Sequence, residues 1–258
     1  MDETRWERWG AASGFGAILT GAAAMAFERG ALSASDSPAR IAAHYADNHG
    51  ALLAQALLFV LGSGFFIWFA GSLRSFLARA EGGSGRLSAV AFGAAVASTV
   101  VTLVALAFQV GLARAVGDAG QPALVGTMDA LFVIANLPLA VMLFAVAVVT
   151  FRTAVLPAWL GWLTIVAAVA QVVPVLGIAL DGGPLAADGW VSAYLPYPLY
   201  ALWLACAVIV TVARVGAPGR GRPTVAAPSV LPETGGASGR DGLSGAATYA
   251  AVRGRQMP

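Results

Sequence analysis

Six runs of the sequence are apolar on every face and long enough to cross a lipid bilayer: residues 10–27, 50–73, 87–112, 124–150, 158–180 and 195–213. Nothing else in the chain limits its fold so tightly. A helix needs about 20 apolar residues to span the hydrocarbon, and the backbone inside it must be satisfied within the segment. Spanning strands would alternate polar and apolar residues in segments of about 10, and these runs do not alternate. The expected fold is therefore all-α, a polytopic membrane bundle of six transmembrane helices with the lipid bilayer as its main partner. Composition leaves room for little else. Hydrophobic residues make up 59% of the chain and charged residues 11%, against about 25% charged in a soluble domain.

The chain divides into a short N-terminal segment (1–9), the membrane domain (10–213) and a tail (214–258). The N-terminal segment sets Asp2, Glu3 and Glu7 against Arg5 and Arg8. A cleaved signal carries a positive stretch there, so the first run reads as a retained helix. The longest link, 28–49, holds Ser37-Pro38, an N-cap followed by a first-turn proline; it predicts a short surface helix leading into the second run. Glycine-rich turns at 81–85, 117–121 and 181–189 separate later runs. Beyond Arg214 the chain is rich in Gly, Pro, Ala, Ser and Arg with no apolar period. Such a segment buries too little surface to offset its chain entropy, and the tail is expected to be disordered.

Orientation follows from the arginines, because cytoplasmic loops concentrate basic residues. With the N-terminus inside, the inner side carries Arg5, Arg8, Arg74, Arg79, Arg86, Arg152, Arg214 and the tail arginines, and the outer side Arg29, Arg40 and Arg114. Trp6, Trp9, Trp68, Trp159 and Trp162 then fall at the inner interface, and Trp190, Tyr194 and Tyr197 at the outer one, as aromatic belts do. Both termini are expected to be cytoplasmic, in a bacterial plasma membrane. The net charge of +2 reflects this placement, and no nucleic-acid partner is expected. Cys206 is the single cysteine and forms no intramolecular disulfide.

Soluble-enzyme signatures are absent: there is no P-loop, Gly-x-Ser-x-Gly elbow, His-Glu-x-x-His or Cys-x-x-Cys in the sequence. No cofactor is expected. His44, Asp47 and His49 lack the spacing and companions of a metal set, so no metal is expected either. The informative residues are polar ones inside apolar runs. Asp129 is the only acid well inside a run, where a charge is costly and often functional; it either pairs with Arg114 or carries protons or ions. Asn136-Leu137-Pro138 lies at the middle of the fourth run and Gln171-Val172-Val173-Pro174 in the fifth. Pro138 and Pro174 each remove a helical hydrogen bond, freeing the carbonyls of Ile134 and Ala170 and kinking the helix. Broken helices of this kind hold transporter substrates, and equally occur in ordinary spans with an amide bonded to a neighbouring helix. With Gln55 and Gln109, these residues place Asp129, Asn136 and Gln171 in the centre and outer half of the membrane. They define a candidate outward-opening polar pocket lined by the second to fifth runs.

Gly10-x-x-x-Gly14 and Ala17-x-x-x-Gly21 are small-residue spacings that let helices approach closely, either inside the bundle or in a homo-oligomer. Leu231-Pro232-Glu233-Thr234-Gly235 matches a sortase signal. The signal needs a following span, and 243–252 is too short to be one, so the match reads as coincidence.

Three segments carry a likeness to known sequences: 37–53 (Ser37-Pro38-Ala39-Arg40-Ile41 through His44-Tyr45-Ala46-Asp47-Asn48-His49), Trp68-Phe69-Ala70-Gly71-Ser72-Leu73-Arg74, and Leu156-Pro157-Ala158-Trp159-Leu160-Gly161-Trp162-Leu163. Together they resemble a group of uncharacterised actinobacterial multi-span integral membrane proteins that share a domain of unknown function. The resemblance covers the six-run core, implies a small helical bundle in the cell membrane, and brings no activity or catalytic residue with it. The functional expectation is a structural or partner-binding membrane component, the partner being another membrane protein or a second copy. A small transporter or channel is the alternative, and an intramembrane enzyme the third reading.

Overall fold

The computed structural model describes residues 3–30, 32, 36–114, 121–187 and 189–215. The tail beyond 215, with the sortase-like motif and the expected disorder, lies outside the described residues, as does the link 115–120. Among the described residues all regular structure is helical: α1 (Glu3–Met25), α2 (Pro38–Asp47), α3 (His49–Glu81), α4 (Arg86–Arg114), α5 (Gln121–Thr153), α6 (Ala158–Leu176), α7 (Trp190–Tyr194) and α8 (Pro196–Val215), with a 3-10 turn at Gly177–Ala179.

Every apolar run is largely helical, but among the described residues five stretches are long and apolar enough to cross a membrane: His49–Glu81, Arg86–Arg114, Pro122–Thr153, Ala158–Ala179 and Trp190–Val215. The expected first span, α1, is not among them. Its sequence is built from Gly, Ala, Ser and Thr around few large apolar residues and begins with charges, so its apolarity is diluted. Even so, α1 packs against α3 on one side and α8 on the other. The main further contacts run α3–α4, α4–α5, α5–α6 and α6–α8, so the long helices close a ring, with α3 also touching α5.

Helices α3, α4 and α5 outrun the apolar stretches that predict them. At 33 residues α3 is about 50 Å long, well beyond a hydrocarbon core of about 30 Å. Its last turns continue because Leu77 is fully buried among the other helices. Glu81 then closes the turn into α4. Its carboxylate accepts from the backbone N–H of Leu87 and of Ser88 and from the Ser88 hydroxyl, each at 2.9 Å. These are donors that a helix start leaves unsatisfied. The link between can fold back so tightly because Gly82, Gly83 and Gly85 all take positive φ.

The main core joins Phe69, Leu73 and Leu77 of α3, Met142, Leu143 and Val146 of α5, Leu160 of α6, and Trp203 and Val208 of α8. A smaller core sits at the opposite end, where α2 lays Ile41 and Tyr45 onto Leu52, Leu112, Ala113 and Val125. That helix starts as expected, with the Arg40 N–H donating to the Ser37 hydroxyl. The small residues of α1 serve packing inside this bundle. A Cβ on Gly14 would stand 2.2 Å from Val208 Cγ2, and one on Gly10 would stand 2.0 Å from Ser72 Oγ. Gly21, by contrast, faces open space.

Two ion contacts fix the ends. Arg79 pairs with Glu7, joining the end of α3 to the start of α1. Arg214 donates to the Val155 carbonyl and anchors the end of α8 to the α5–α6 link.

Candidate functional site

A buried amide in a low-dielectric bundle must find partners, because water is not there to supply them. Gln55 and Gln109 find each other. Gln109 Nε2 donates to Gln55 Oε1 at 2.9 Å and to the Leu52 carbonyl at 3.3 Å. Gln55 Nε2 in turn donates to Glu28 Oε2 at 2.9 Å. The chain from α4 through α3 thus ends on the segment that follows α1. Gln171 is 1% exposed, and its Nε2 crosses to α8 to reach the Pro196 carbonyl at 3.1 Å. These three glutamines are clasps between helices.

Asn136 behaves differently. Its Nδ2 turns back along its own helix to the carbonyls of Phe132, at 2.9 Å, and Val133, at 3.2 Å. It bonds neither to the Ile134 carbonyl freed by Pro138 nor to another helix. The α4–α5 bridge beside that proline is made instead by Ser98, whose hydroxyl donates to the Ala135 carbonyl at 2.8 Å. Both proline-bearing helices continue through Pro138 and Pro174, and α6 gives way to its 3-10 turn two residues after Pro174.

Asp129 is half-buried in α5. The expected pair with Arg114 does not form: among the described residues neither Arg114 nor Asp129 enters an ion pair of the kind that joins Arg40 to Asp36 and Arg79 to Glu7. Arg114 is the exposed last residue of α4, whereas Asp129 lies eight residues beyond Gln121, where α5 begins. Eight residues are about 12 Å of helix, so the two charges stand at different depths. Burial pushes the Tyr45 hydroxyl up to about 12, with the Asp129 charge adding to the shift. Above α3, His49 Nδ1 lies 2.7 Å from the Ala113 carbonyl, and His44 sets its ring edge-on to Tyr45.

The five residues of the expected pocket are therefore divided: Gln55 bonds Gln109, Gln171 reaches α8, Asn136 turns back on its own helix, and Asp129 does not pair with Arg114. A cleft of about 500 Å³ opens elsewhere, beside α1, α3 and α8, and its lining contains none of the five. Sequence reasoning missed Glu28 as the end of the glutamine chain. It also missed the fully buried Trp203, whose Nε1 donates to Thr164 Oγ at 2.8 Å.

The clasp makes a measurable prediction. Replacing Gln109 with Leu removes two donations and leaves Gln55 Oε1 buried without its donor. An interhelical polar bond inside a membrane contributes about 0.6 kcal/mol and at most about 1.7 kcal/mol, so the cost is about 1–2 kcal/mol, read as a lower thermal midpoint in detergent. Adding Gln55→Leu should recover part of it, because the orphaned acceptor is gone. An unchanged midpoint for the single variant would remove the clasp from the account.

No family model, curated protein or solved structure matches this chain.

Proposed function

We propose that the chain is a six-span component of a bacterial plasma membrane, with both termini cytoplasmic and a structural or partner-binding role. The single observation that carries the role is that Gln55, Gln109 and Gln171 are consumed in bonds between helices. Residues so held are locked in place by their partners and are not displayed to a passing substrate. Counting α1 as the sixth span is supported by its place in the ring between α3 and α8. The orientation is supported by the crowding of arginines at one end and by the exposed aromatic residues at both, among them Trp9, Trp162, Trp190 and Tyr194. Membership among the actinobacterial proteins that the three segments resemble belongs to the same proposal.

A second reading has one observation in its favour. Asp129 is a half-buried acid inside an apolar helix, and such residues serve proton relays. Reconstitution into liposomes loaded with a pH-sensitive dye separates the two. The structural reading expects no proton leak beyond that of empty liposomes, for the natural chain and Asp129→Asn alike. A pH-driven flux that Asp129→Asn abolishes would replace it with a transporter. A reporter fused after Pro258 should be active on the cytoplasmic side; activity only outside would overturn the orientation.

A further inference from the structure

A furrow of about 520 Å³ runs along the exposed side of α4, where that helix meets the start of α5. From Ala97 to its end, α4 exposes Ala97, Val100, Val104, Ala107, Gly111 and Arg114. They recur three and four apart and so form one stripe, and none before the arginine is larger than valine. The exposed faces of the neighbouring helices carry bulkier groups, among them Leu57, Leu61 and Phe65 on α3 and Ile134, Leu137 and Phe144 on α5. The stripe is therefore a depression, flanked by Phe108 of α4 and Leu124 of α5 and lined by apolar residues throughout. A Cβ on Gly111 would meet nothing within 4 Å, so the furrow stays open toward the end of the helix. From Val100 to Gly111 it follows about 16 Å of helix, close to half of a hydrocarbon core of about 30 Å. Charge stands at one end only. Arg114 continues the stripe beyond Gly111, is exposed, and among the described residues enters no ion pair or side-chain hydrogen bond. A long helical side chain lies over the turn that precedes its own Cα, which here is the turn of Gly111.

We infer that this furrow holds one acyl chain of an anionic phospholipid whose phosphate sits on Arg114, in the leaflet at the α2 end of the bundle. The length of the furrow suits the chain of a single leaflet. Ala107 and Gly111 let that chain approach the α4 backbone closely, so its dispersion contacts exceed those that a helix face of leucines allows. The guanidinium presents paired N–H donors that match phosphate oxygens. Charge decides among the occupants. A second copy related by a two-fold axis along the membrane normal would present the same patch and set Arg114 against its own counterpart. A zwitterionic lipid brings an ammonium of its own beside the arginine. An anionic lipid neutralises it. This inference rests on the membrane reading above, which a separate measurement tests: the chain should stay with membranes washed at alkaline pH.

The test uses native mass spectrometry of the full chain in detergent, with phosphatidylglycerol and phosphatidylcholine of the same acyl chains added at equal concentration. One phosphatidylglycerol per chain should be retained in preference to phosphatidylcholine. Arg114→Gln should cut its retention about tenfold, the loss of one bond to a charged group, and leave phosphatidylcholine unchanged. Gly111→Leu fills the furrow and keeps the charge. It should lower phosphatidylglycerol retention as far as Arg114→Gln does. Its thermal midpoint without lipid should hold or rise, because the added side chain meets open space and leucine favours a helix more than glycine. Three results would overturn the inference. One is equal retention of both lipids by the natural chain. Another is unchanged phosphatidylglycerol retention in Gly111→Leu, which would leave the arginine a lipid contact without a furrow. The third is a dimer that Gly111→Leu dissociates, which would give the furrow to a second copy.

Discussion

Trp203→Ala should be among the most damaging single substitutions in this chain, costing about 3–5 kcal/mol, the range for truncating a buried aromatic residue. Trp203 has no exposed surface and is the bulkiest of the fully buried side chains. It lies where α8 meets α6, stacked on Tyr200 with ring centroids 5.9 Å apart. Lipid tails are as apolar as the core, so burial from water contributes little to holding these helices together, and close packing must do it. Truncation at this position forfeits dispersion contacts that nothing nearby can restore. The hydrogen bond adds a second part. Trp203 Nε1 donates to Thr164 Oγ, which itself donates to the Leu160 carbonyl at 2.6 Å. Two further variants separate the parts. Trp203→Phe keeps most of the volume and loses the donor; Thr164→Val keeps the tryptophan and strands its N–H, at about 1–3 kcal/mol. Thermal midpoints in one detergent should fall in the order natural chain, Trp203→Phe, Trp203→Ala. Equal midpoints for the natural chain and Trp203→Ala would place the stability of the α6–α8 contact elsewhere.

That tryptophan shows where the sequence is readable and where it is not. Apolar runs disclose helices because lipid compatibility is a property of each segment alone, so α3 to α6 and α8 are legible, as is the Ser37-Pro38 start of α2. Trp203 sits among equally apolar neighbours, and an apolar run does not say which face turns inward. Hydropathy also sets α1 apart from the five long apolar helices, because its glycines lower its apolarity for the same reason that they let it approach Ser72 and Val208 closely. For the polar residues, the need for a partner is readable and the identity of the partner is not. A glutamine in a span predicts that a bond exists. Whether it reaches Gln55, a Pro196 carbonyl or its own helix depends on helix rotation, which a single chain does not encode locally. Arg114 and Asp129 mislead similarly: adjacent helices suggest a pair, and an offset of about 12 Å along the axis prevents it. The cleft could not be anticipated from spacing at all, since its lining is assembled from α1, α3, α4 and α8.

Gly177→Ala should destabilise the chain by about 3 kcal/mol, and backbone geometry makes the cause unambiguous. Gly177 has φ −61° and ψ −18°, an ordinary helical conformation in which alanine is favoured over glycine by about 1 kcal/mol. Local propensity alone therefore predicts a gain. Space predicts the reverse. The link after α6 folds back over its last turn, with the Ala187 N–H donating to the Gly177 carbonyl at 3.1 Å. An added Cβ would stand 2.4 Å from the Leu185 carbonyl oxygen and 2.8 Å from Ala186 C and Ala187 N. Those are backbone atoms and cannot swing aside as a side chain can. Moving them also disturbs the Ser192 hydroxyl, which donates to the Leu185 carbonyl at 3.1 Å, and the fully packed Ala186. Overpacking of this kind costs about 1–3 kcal/mol, and an immovable neighbour puts Gly177 at the upper end. Gly183 in the same link provides the contrast. It has open space for a Cβ but takes φ +103°, so Gly183→Ala should lose about 1–3 kcal/mol through backbone strain alone. Replacement of each glycine by D-alanine in a semisynthetic chain separates the two causes. The D residue accommodates the positive φ and should restore stability at position 183. At position 177 it should not, because the φ there already suits an L residue.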